Sequence, residues 1–367
     1  MILISIPERK RKHVEICQSK DVQMNKTNAF EGFDLVPFTL PELDLKEIDT
    51  QCKFLGHDFN FPLMITALTG GFPGAETINK NIAFICQELG IGMGVGSQRA
   101  AIEDPALSYT YKVRDIASDI FLAGNLGIAQ IASEYGVQEA EQAIQMIDAD
   151  ALAIHLNPLH EVLQTGGDPN FKGGLNSLQQ LCNNSKYPVI AKESGSGIDM
   201  ASALSLKAAG VAAIDVSGAG GVSWAKVAKY QNEEDIAAKT NLELLEDWGI
   251  PSAYSISECY QATNLPIIGS GGIRNGLEIV KALILGADIV GIALPILRAH
   301  HQGGKSQIKG FLTLLMTQVK RSMFLLGCSN LNDLKNARNR IVLRESASNW
   351  FKTRGLKPPY LLDNIEV

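Results

Sequence analysis

Residues 155–161 read HLNPLHE and follow the apolar run ADALAI. His155, Asn157, His160 and Glu161 thus crowd into seven positions at the end of a buried-looking segment. Imidazole holds or passes a proton near neutral pH, and a carboxylate beside it can bind a divalent cation that bridges to phosphate. Lys192 closes a second apolar run, PVIAK; a lysine on a buried strand is costly unless it is paired or meets a ligand. In GSGGIRNG, residues 269–276, consecutive glycines let backbone N–H groups approach an anion, with the positive end of the next helix behind them. Ala293 and Leu294 open ALPIL, where Pro295 marks a helix start and further N–H donors. Ser97, Gln98 and Arg99 end GVGSQR, and Arg9 to His13 form the basic run RKRKH. Arginine suits phosphate because its fork matches the oxygens. The chemistry implied is recognition of a phosphorylated anion, with a carboxylate for a metal and histidines for protons.

The elements that must hold these groups are legible as short apolar runs. Eight of them, at 62–67, 91–95, 119–124, 150–156, 188–192, 212–216, 265–269 and 288–293, are continuous rather than alternating. That is the pattern of parallel strands covered on both faces. Helical periodicity fills intervals such as 76–90, 138–147, 198–209 and 275–286, several ending at glycine. The count predicts a (β/α)8 barrel, although a doubly wound open sheet gives a similar one. In a barrel, chemistry sits at the carboxyl ends of the strands, and every group named above except the N-terminal run falls at one. Residues 1–60 read as an N-terminal extension able to fold over the barrel mouth, 61–300 as the barrel core and 301–367 as C-terminal helices, with amphipathic segments near 306–326 and 331–354.

Composition narrows the class. A chain of 367 residues that is 46% apolar supports one large core. Its net charge of -6 argues against a nucleic-acid binder but not against an anionic substrate in a local basic pocket. The six cysteines form no CxxC pair, so neither a zinc site nor a disulfide framework is signalled, and reduced thiols fit a cytoplasmic protein. The first charges follow a very short apolar run, the reverse of a signal peptide. No apolar stretch approaches the roughly 18 residues that span a bilayer.

Taken in order, Arg9-Lys10-x-x-His13, Thr69-Gly70-Gly71, GVGSQR, NLG, HLNP, KESGSGI, SGAGG, SGGIRNGL and WGIP (Trp248 to Pro251) resemble the FMN-dependent, type 2 isopentenyl-diphosphate isomerases, from residue 9 to beyond 297. The resemblance implies a homo-oligomer (tetramer or octamer) that binds FMN at the strand ends, needs Mg2+ and draws reducing equivalents from NADPH, with no net redox change. Carried over by position, it implies FMN contacts at Thr66, Ala67, Leu68, Ser97, Asn125, Lys192, Ser217 and Val222, with Gly271, Gly272, Ile273, Ala293 and Leu294 at the phosphate end. Lys192 would stabilise negative charge on the reduced ring. An isoprenyl diphosphate would meet Arg9, Lys10, His13, Ser97, Gln98, Arg99, Asn157, His160 and Ser194. Glu161 would bind the metal, and His155, His160 and Glu161 would be the catalytic side chains.

Four positions depart from that family. His160 replaces a glutamine close to the reacting carbons. Val222 replaces a threonine whose hydroxyl meets the FMN phosphate, with Ser223 a candidate to compensate. Thr165 replaces a proline, and Leu68 a methionine. Other readings are an FMN-dependent 2-hydroxy-acid oxidase or dehydrogenase, which gives no reason for the N-terminal cations, and an IMP-dehydrogenase-like enzyme, whose nucleophilic cysteine is missing from SGAGGVSW. A catalytically altered flavin-binding homologue is the last, and Glu161, Lys192 and Arg99 speak against it.

Overall fold

A computed structural model describes residues 5–164, 166–231 and 242–362. Eight parallel strands close into a barrel: β1 (Leu63–Ile65), β2 (Gly92–Gly94), β3 (Leu122–Gly127), β4 (Ala151–Leu156), β5 (Val189–Glu193), β6 (Ala213–Asp215), β7 (Ile267–Ser270) and β8 (Ile289–Ile292). β8 pairs with β1 through Val290↔Leu63, Gly291↔Met64 and Ile292↔Ile65, which leaves no sheet edge. The open-sheet alternative is thereby excluded. Each strand falls within or overlaps a predicted apolar run, because both faces are buried; its polar residues, such as Asn125, His155, Lys192, Asp215 and Ser270, sit toward the carboxyl end.

The barrel interior is narrow and filled by small or branched side chains, among them Met64, Ala123, Ala153, Ile190, Ala213, Ile268 and Ile289. A hairpin of Cys52–Phe54 and His57–Phe59 closes the amino-terminal end. Its Phe54 and Phe59 pack on Phe121, just before β3, with centroids 5.8 and 5.9 Å apart. That end is plugged by aromatic surface, so the opposite rim is left for polar groups. A larger apolar layer lies between the strands and the surrounding helices.

The two extensions meet. Phe33–Leu35 pairs antiparallel with Ile341–Leu343. The helix α1 (Ile6–Ser19) lies against the long helix Leu294–Leu325, where Arg298 donates to the carbonyls of Cys17 and Lys20 at 3.1 and 2.8 Å. That long helix is broken at Gly303 and Gly304, the second of which has φ +59. Its first part is the helix that follows β8; its second covers the segment predicted near 306–326. The segment predicted at 331–354 is not one helix. It divides into Leu331–Asn336, the strand Ile341–Leu343 and Glu345–Arg354, since Ile341 and Leu343 are used in sheet pairing. No helix among the described residues is long and apolar enough to cross a membrane.

Candidate active site

A cavity of about 300 Å3 opens at the carboxyl ends of the strands, and α1 lies across its mouth. Every site residue predicted from the sequence lines it except Gln98. Gln98 is fully buried in the barrel wall. Its amide donates to the Ala143 carbonyl at 2.7 Å, and its Oε1 accepts the Asn125 N–H at 2.9 Å. It therefore places Asn125 and has no free group for a ligand.

One side of the cavity is a glycine cradle. Gly271 and Gly272 have φ of +103 and +70, so L side chains are disfavoured there. A Cβ on Gly271 would lie 2.1 Å from the Gly218 carbonyl oxygen, and one on Gly272 2.4 Å from that of Gly220. The loops after β6 and β7 are thus packed backbone to backbone. The N–H groups of Gly272 and Ile273 donate to no acceptor among the described residues. The helix Gly276–Ile284 adds less than its position suggested. Asn275 Oδ1 accepts the Glu278 N–H, the Glu278 carboxylate takes the Arg274 N–H, and Gln318 takes that of Gly276. The open helix end is instead the one after β8: Leu294 begins its helix with no side-chain cap, and Ala293 and Leu294 both face the cavity. Val222 presents only an apolar side chain here. Ser223 does not replace a lost hydroxyl, because it is fully buried and donates to the Glu246 carbonyl at 2.7 Å.

The opposite side is cationic. Arg9, Lys10 and His13 project from one face of α1, joined by Arg99 from the segment after β2. Lys10 Nζ donates to Tyr111 Oη at 3.2 Å and also to the Ser97 carbonyl. Arg99 pairs with Glu103 at 2.7 Å. Burial, then the charges of Arg9 and Arg99, push Lys10 down to about 7. Burial and Arg9 push His13 down to about 4. A polyanion would relieve this crowding of positive groups.

Between the two sides lie the groups of the HLNPLHE stretch. His155 Nδ1 is 2.8 Å from Asn125 Oδ1, and burial followed by Lys10 and Lys192 lowers its pKa to about 4. Glu161 Oε1 accepts from Asn157 Nδ2 at 2.7 Å; Oε2 accepts from Gln164 Nε2 at 2.8 Å and the Asp168 N–H at 2.7 Å. Three neutral donors hold this carboxylate in place. No group of three or more His, Cys, Asp or Glu side chains suited to a metal occurs among the described residues, so a cation here would rest on Glu161 and on oxygens brought by a ligand. Lys192 Nζ lies 3.0 Å from Asp215 Oδ2, whose other oxygen accepts from Ser270 Oγ. The buried lysine is paired and still reaches the cavity.

Trp224 was quoted in the β6 loop but given no role, and it is central. Its ring stacks on His160 and meets His13 edge-on with centroids 5.5 Å apart, while Nε1 donates to the Ser194 carbonyl at 2.8 Å. Gln130, Gln164 and Arg274 also line the cavity and were missed. Trp248, in the WGIP motif, is exposed and lies on a different groove. Thr165 lies outside the described residues.

Among the described residues, four buried polar atoms on cavity residues have no hydrogen-bond partner: His13 Nε2, Thr69 Oγ1, Asn157 Oδ1 and His160 Nε2. Such atoms are costly in a finished interior, and their convergence on one cavity fits a polar ligand. The glycine cradle with unpaired N–H groups and the uncapped helix at Leu294 would suit the phosphate of a flavin mononucleotide, and the paired Lys192 would suit negative charge on its ring.

Known proteins resemble this chain along most of its length. Residues 111–341 match the FMN-dependent dehydrogenase family. The chain is 42% identical to an isopentenyl-diphosphate delta-isomerase of Thermococcus onnurineus over 362 residues, covering 97% of this chain and 96% of that one. It is 45% identical to the protein of the same name from Pyrococcus abyssi over 335 residues, 89% and 90% of the two chains. Among solved structures, a mutant flavocytochrome b2 with pyruvate bound superposes with a TM-score of 0.66 at 16% identity, over 97% of this chain and 88% of that one.

Proposed function

The chain belongs to the FMN-dependent, type 2 isopentenyl-diphosphate delta-isomerases, and from that premise we propose that it interconverts isopentenyl and dimethylallyl diphosphates in isoprenoid biosynthesis, with reduced FMN and Mg2+. The reaction moves a double bond: one proton is added at one end of the allylic system and another is lost from a different carbon. Reduced FMN, with NADPH as reductant, supplies a group able to give and take those protons.

The chain's own residues bind, orient and enclose. Gly271, Gly272, Ile273, Ala293 and Leu294 hold the flavin phosphate through backbone N–H groups. Thr66, Ala67, Leu68, Asn125 and Ser217 line the ring and its chain, and Lys192 favours negative charge on the ring. Arg9, Lys10, His13, Ser97, Arg99, Asn157 and Ser194 grip the substrate diphosphate, and Glu161 holds Mg2+ against it. His155 and His160 flank the hydrocarbon end, kept neutral by burial, so that each can hold or release a proton. α1 and Trp224 exclude water from the allylic carbons.

The observation that carries the reading is that the cation-bearing face of α1 and the glycine cradle border the same cavity. A hydroxy-acid oxidase site has no use for a cation-bearing arm across the mouth. The same reading includes a cytoplasmic homo-oligomer, for which Leu175, Leu244 and Trp248 offer exposed apolar surface. The test is anaerobic turnover of isopentenyl diphosphate by the FMN-loaded, photoreduced protein with Mg2+. Dimethylallyl diphosphate should accumulate only when the flavin is reduced. Oxidation of a 2-hydroxy acid with no isomerisation would overturn the assignment.

A further inference from the structure

The cofactor loops and the substrate arm are stitched together just beyond α1. Residues 22–28 run across both glycine loops. The Met24 N–H donates to the Gly221 carbonyl at 2.9 Å, and the Ser223 N–H donates to that of Val22 at 2.8 Å. Asn28 is buried and its Nδ2 donates to the Gly272 carbonyl at 2.8 Å. The approach is close enough that a Cβ on Gly220 would lie 2.3 Å from Asn28 N.

Arg274 follows Ile273 directly and lines the cavity, yet its guanidinium is spent on the arm. Nε and one terminal nitrogen donate to Gln23 Oε1 at 3.2 and 2.9 Å; the other donates to the Ile273 carbonyl at 2.9 Å. Arg298, on the helix that begins at Leu294, holds the carbonyls of Cys17 and Lys20. Both segments assigned to the flavin phosphate, 271–273 and 293–294, are therefore tied by an arginine to the stretch that roots α1. The face of α1 bearing Arg9, Lys10 and His13 is the one turned to the cavity.

We propose that Gln23, acting through Arg274, is a positioning residue that couples the flavin-phosphate loop to the diphosphate clamp, so that flavin and substrate bind cooperatively. This rests on the reading above for the places of the two ligands. An anion at Gly272 and Ile273 fixes the loop from which Arg274 projects, and Arg274 then fixes the root of α1. The two repelling cations of that helix, Arg9 and Lys10, and the imidazole of His13 beside them are thereby held in place before substrate arrives, which lowers the ordering cost of binding. Linkage makes the effect reciprocal: a diphosphate in the clamp must retain the flavin.

The experiment follows FMN loss from the holoenzyme by flavin fluorescence after dilution, with and without inorganic pyrophosphate and Mg2+. In the unmodified protein pyrophosphate should slow release by about fivefold or more, the usual lower range of coupling between sites. Gln23→Met keeps length and packing but removes the acceptor, and the slowing should fall below about twofold. Gln23→Ala, with its melting temperature checked, guards against an effect peculiar to methionine. Equal acceleration of release with and without pyrophosphate in these variants would mean a merely structural contact and would overturn the proposal. So would release from the unmodified protein that pyrophosphate leaves unchanged or hastens. The outcomes separate from the isomerase reading. A holoenzyme that isomerises substrate but shows no coupling loses only this proposal; one that shows coupling through Gln23 but no isomerisation loses only the assigned reaction.

Discussion

The imidazole of His160 lies face to face with the indole of Trp224, ring centroids 4.0 Å apart and planes 21° from parallel. The indole is itself anchored by its bond to the Ser194 carbonyl, so three strand-end segments, after β4, β5 and β6, converge on one ring. Trp224→Leu removes a stack worth about 0.5–1.5 kcal/mol and a hydrogen bond worth a similar amount. We expect kcat to fall about tenfold or more and KM to rise with it, because Trp224 also contacts His13 and Ser194, which belong to the proposed diphosphate clamp. Trp224→Phe should recover part of the loss, since it keeps an aromatic face for the stack while lacking the N–H and the second ring. Equal kcat in all three proteins would remove Trp224 from the positioning of His160.

His160 is stacked and half-buried, and its buried Nε2 has no partner among the described residues. Glutamine at this position can both donate and accept a hydrogen bond, and His160→Gln should retain or raise isomerase turnover. Steady-state rates under reducing conditions check it. Loss of a robust activity in His160→Gln would instead make the imidazole a specialised acid or base.

Glu161 is fixed by donors from Asn157, Gln164 and the Asp168 N–H, all of them neutral. Arg9 of the same cavity is near enough to feel its charge, but no ion pair to the carboxylate forms among the described residues, so a metal cation can still reach it. Glu161→Gln should abolish the response to Mg2+ and lower kcat/KM by about a hundredfold, the scale on which metal-site supports act. A Mg2+ titration of initial rate is the measurement, and unchanged kinetics at low Mg2+ would sink the metal role.

What could be read beforehand, and what could not, follows from what each residue faces. The eight strands were legible because a strand covered on both faces reads as a continuous apolar run with its polar residues held to the carboxyl end, and the site was legible because a closed barrel gathers its strand ends. Gln98 was misplaced because in a strand-end loop the sequence does not say which neighbours turn inward: Ser97 and Arg99 face the cavity, Gln98 the wall. Ser223 failed for the same reason. Trp224 carries no spacing signal, being one aromatic at the start of a helix. The sequence offers two helix ends to an anion, at Gly276 and at Leu294; Asn275 and Glu278 satisfy the first locally, and the second is the one left without a side-chain cap. The break at Gly303–Gly304 was visible as two glycines, whereas the pairing of Ile341–Leu343 with Phe33–Leu35 joins residues some 300 positions apart and leaves no local trace.

Lys10 gives the clamp a pH dependence whose sign is fixed by linkage. Without a ligand its pKa is pushed down to about 7, by burial first and then by Arg9 and Arg99. A bound diphosphate adds negative charge beside Nζ and raises that value, so the complex holds more protons than the free protein above about pH 7. Affinity for the diphosphate should then be flat below that pH and fall as pH rises through it, until the pKa of the complex is reached. Binding at pH 8 should take up a proton. Calorimetry of pyrophosphate binding in two buffers of different ionisation enthalpy measures this uptake directly. Lys10→Met should bind more weakly and lose this part of both the uptake and the pH dependence; an unaltered profile in that variant would show that the titrating group lies elsewhere in the cavity.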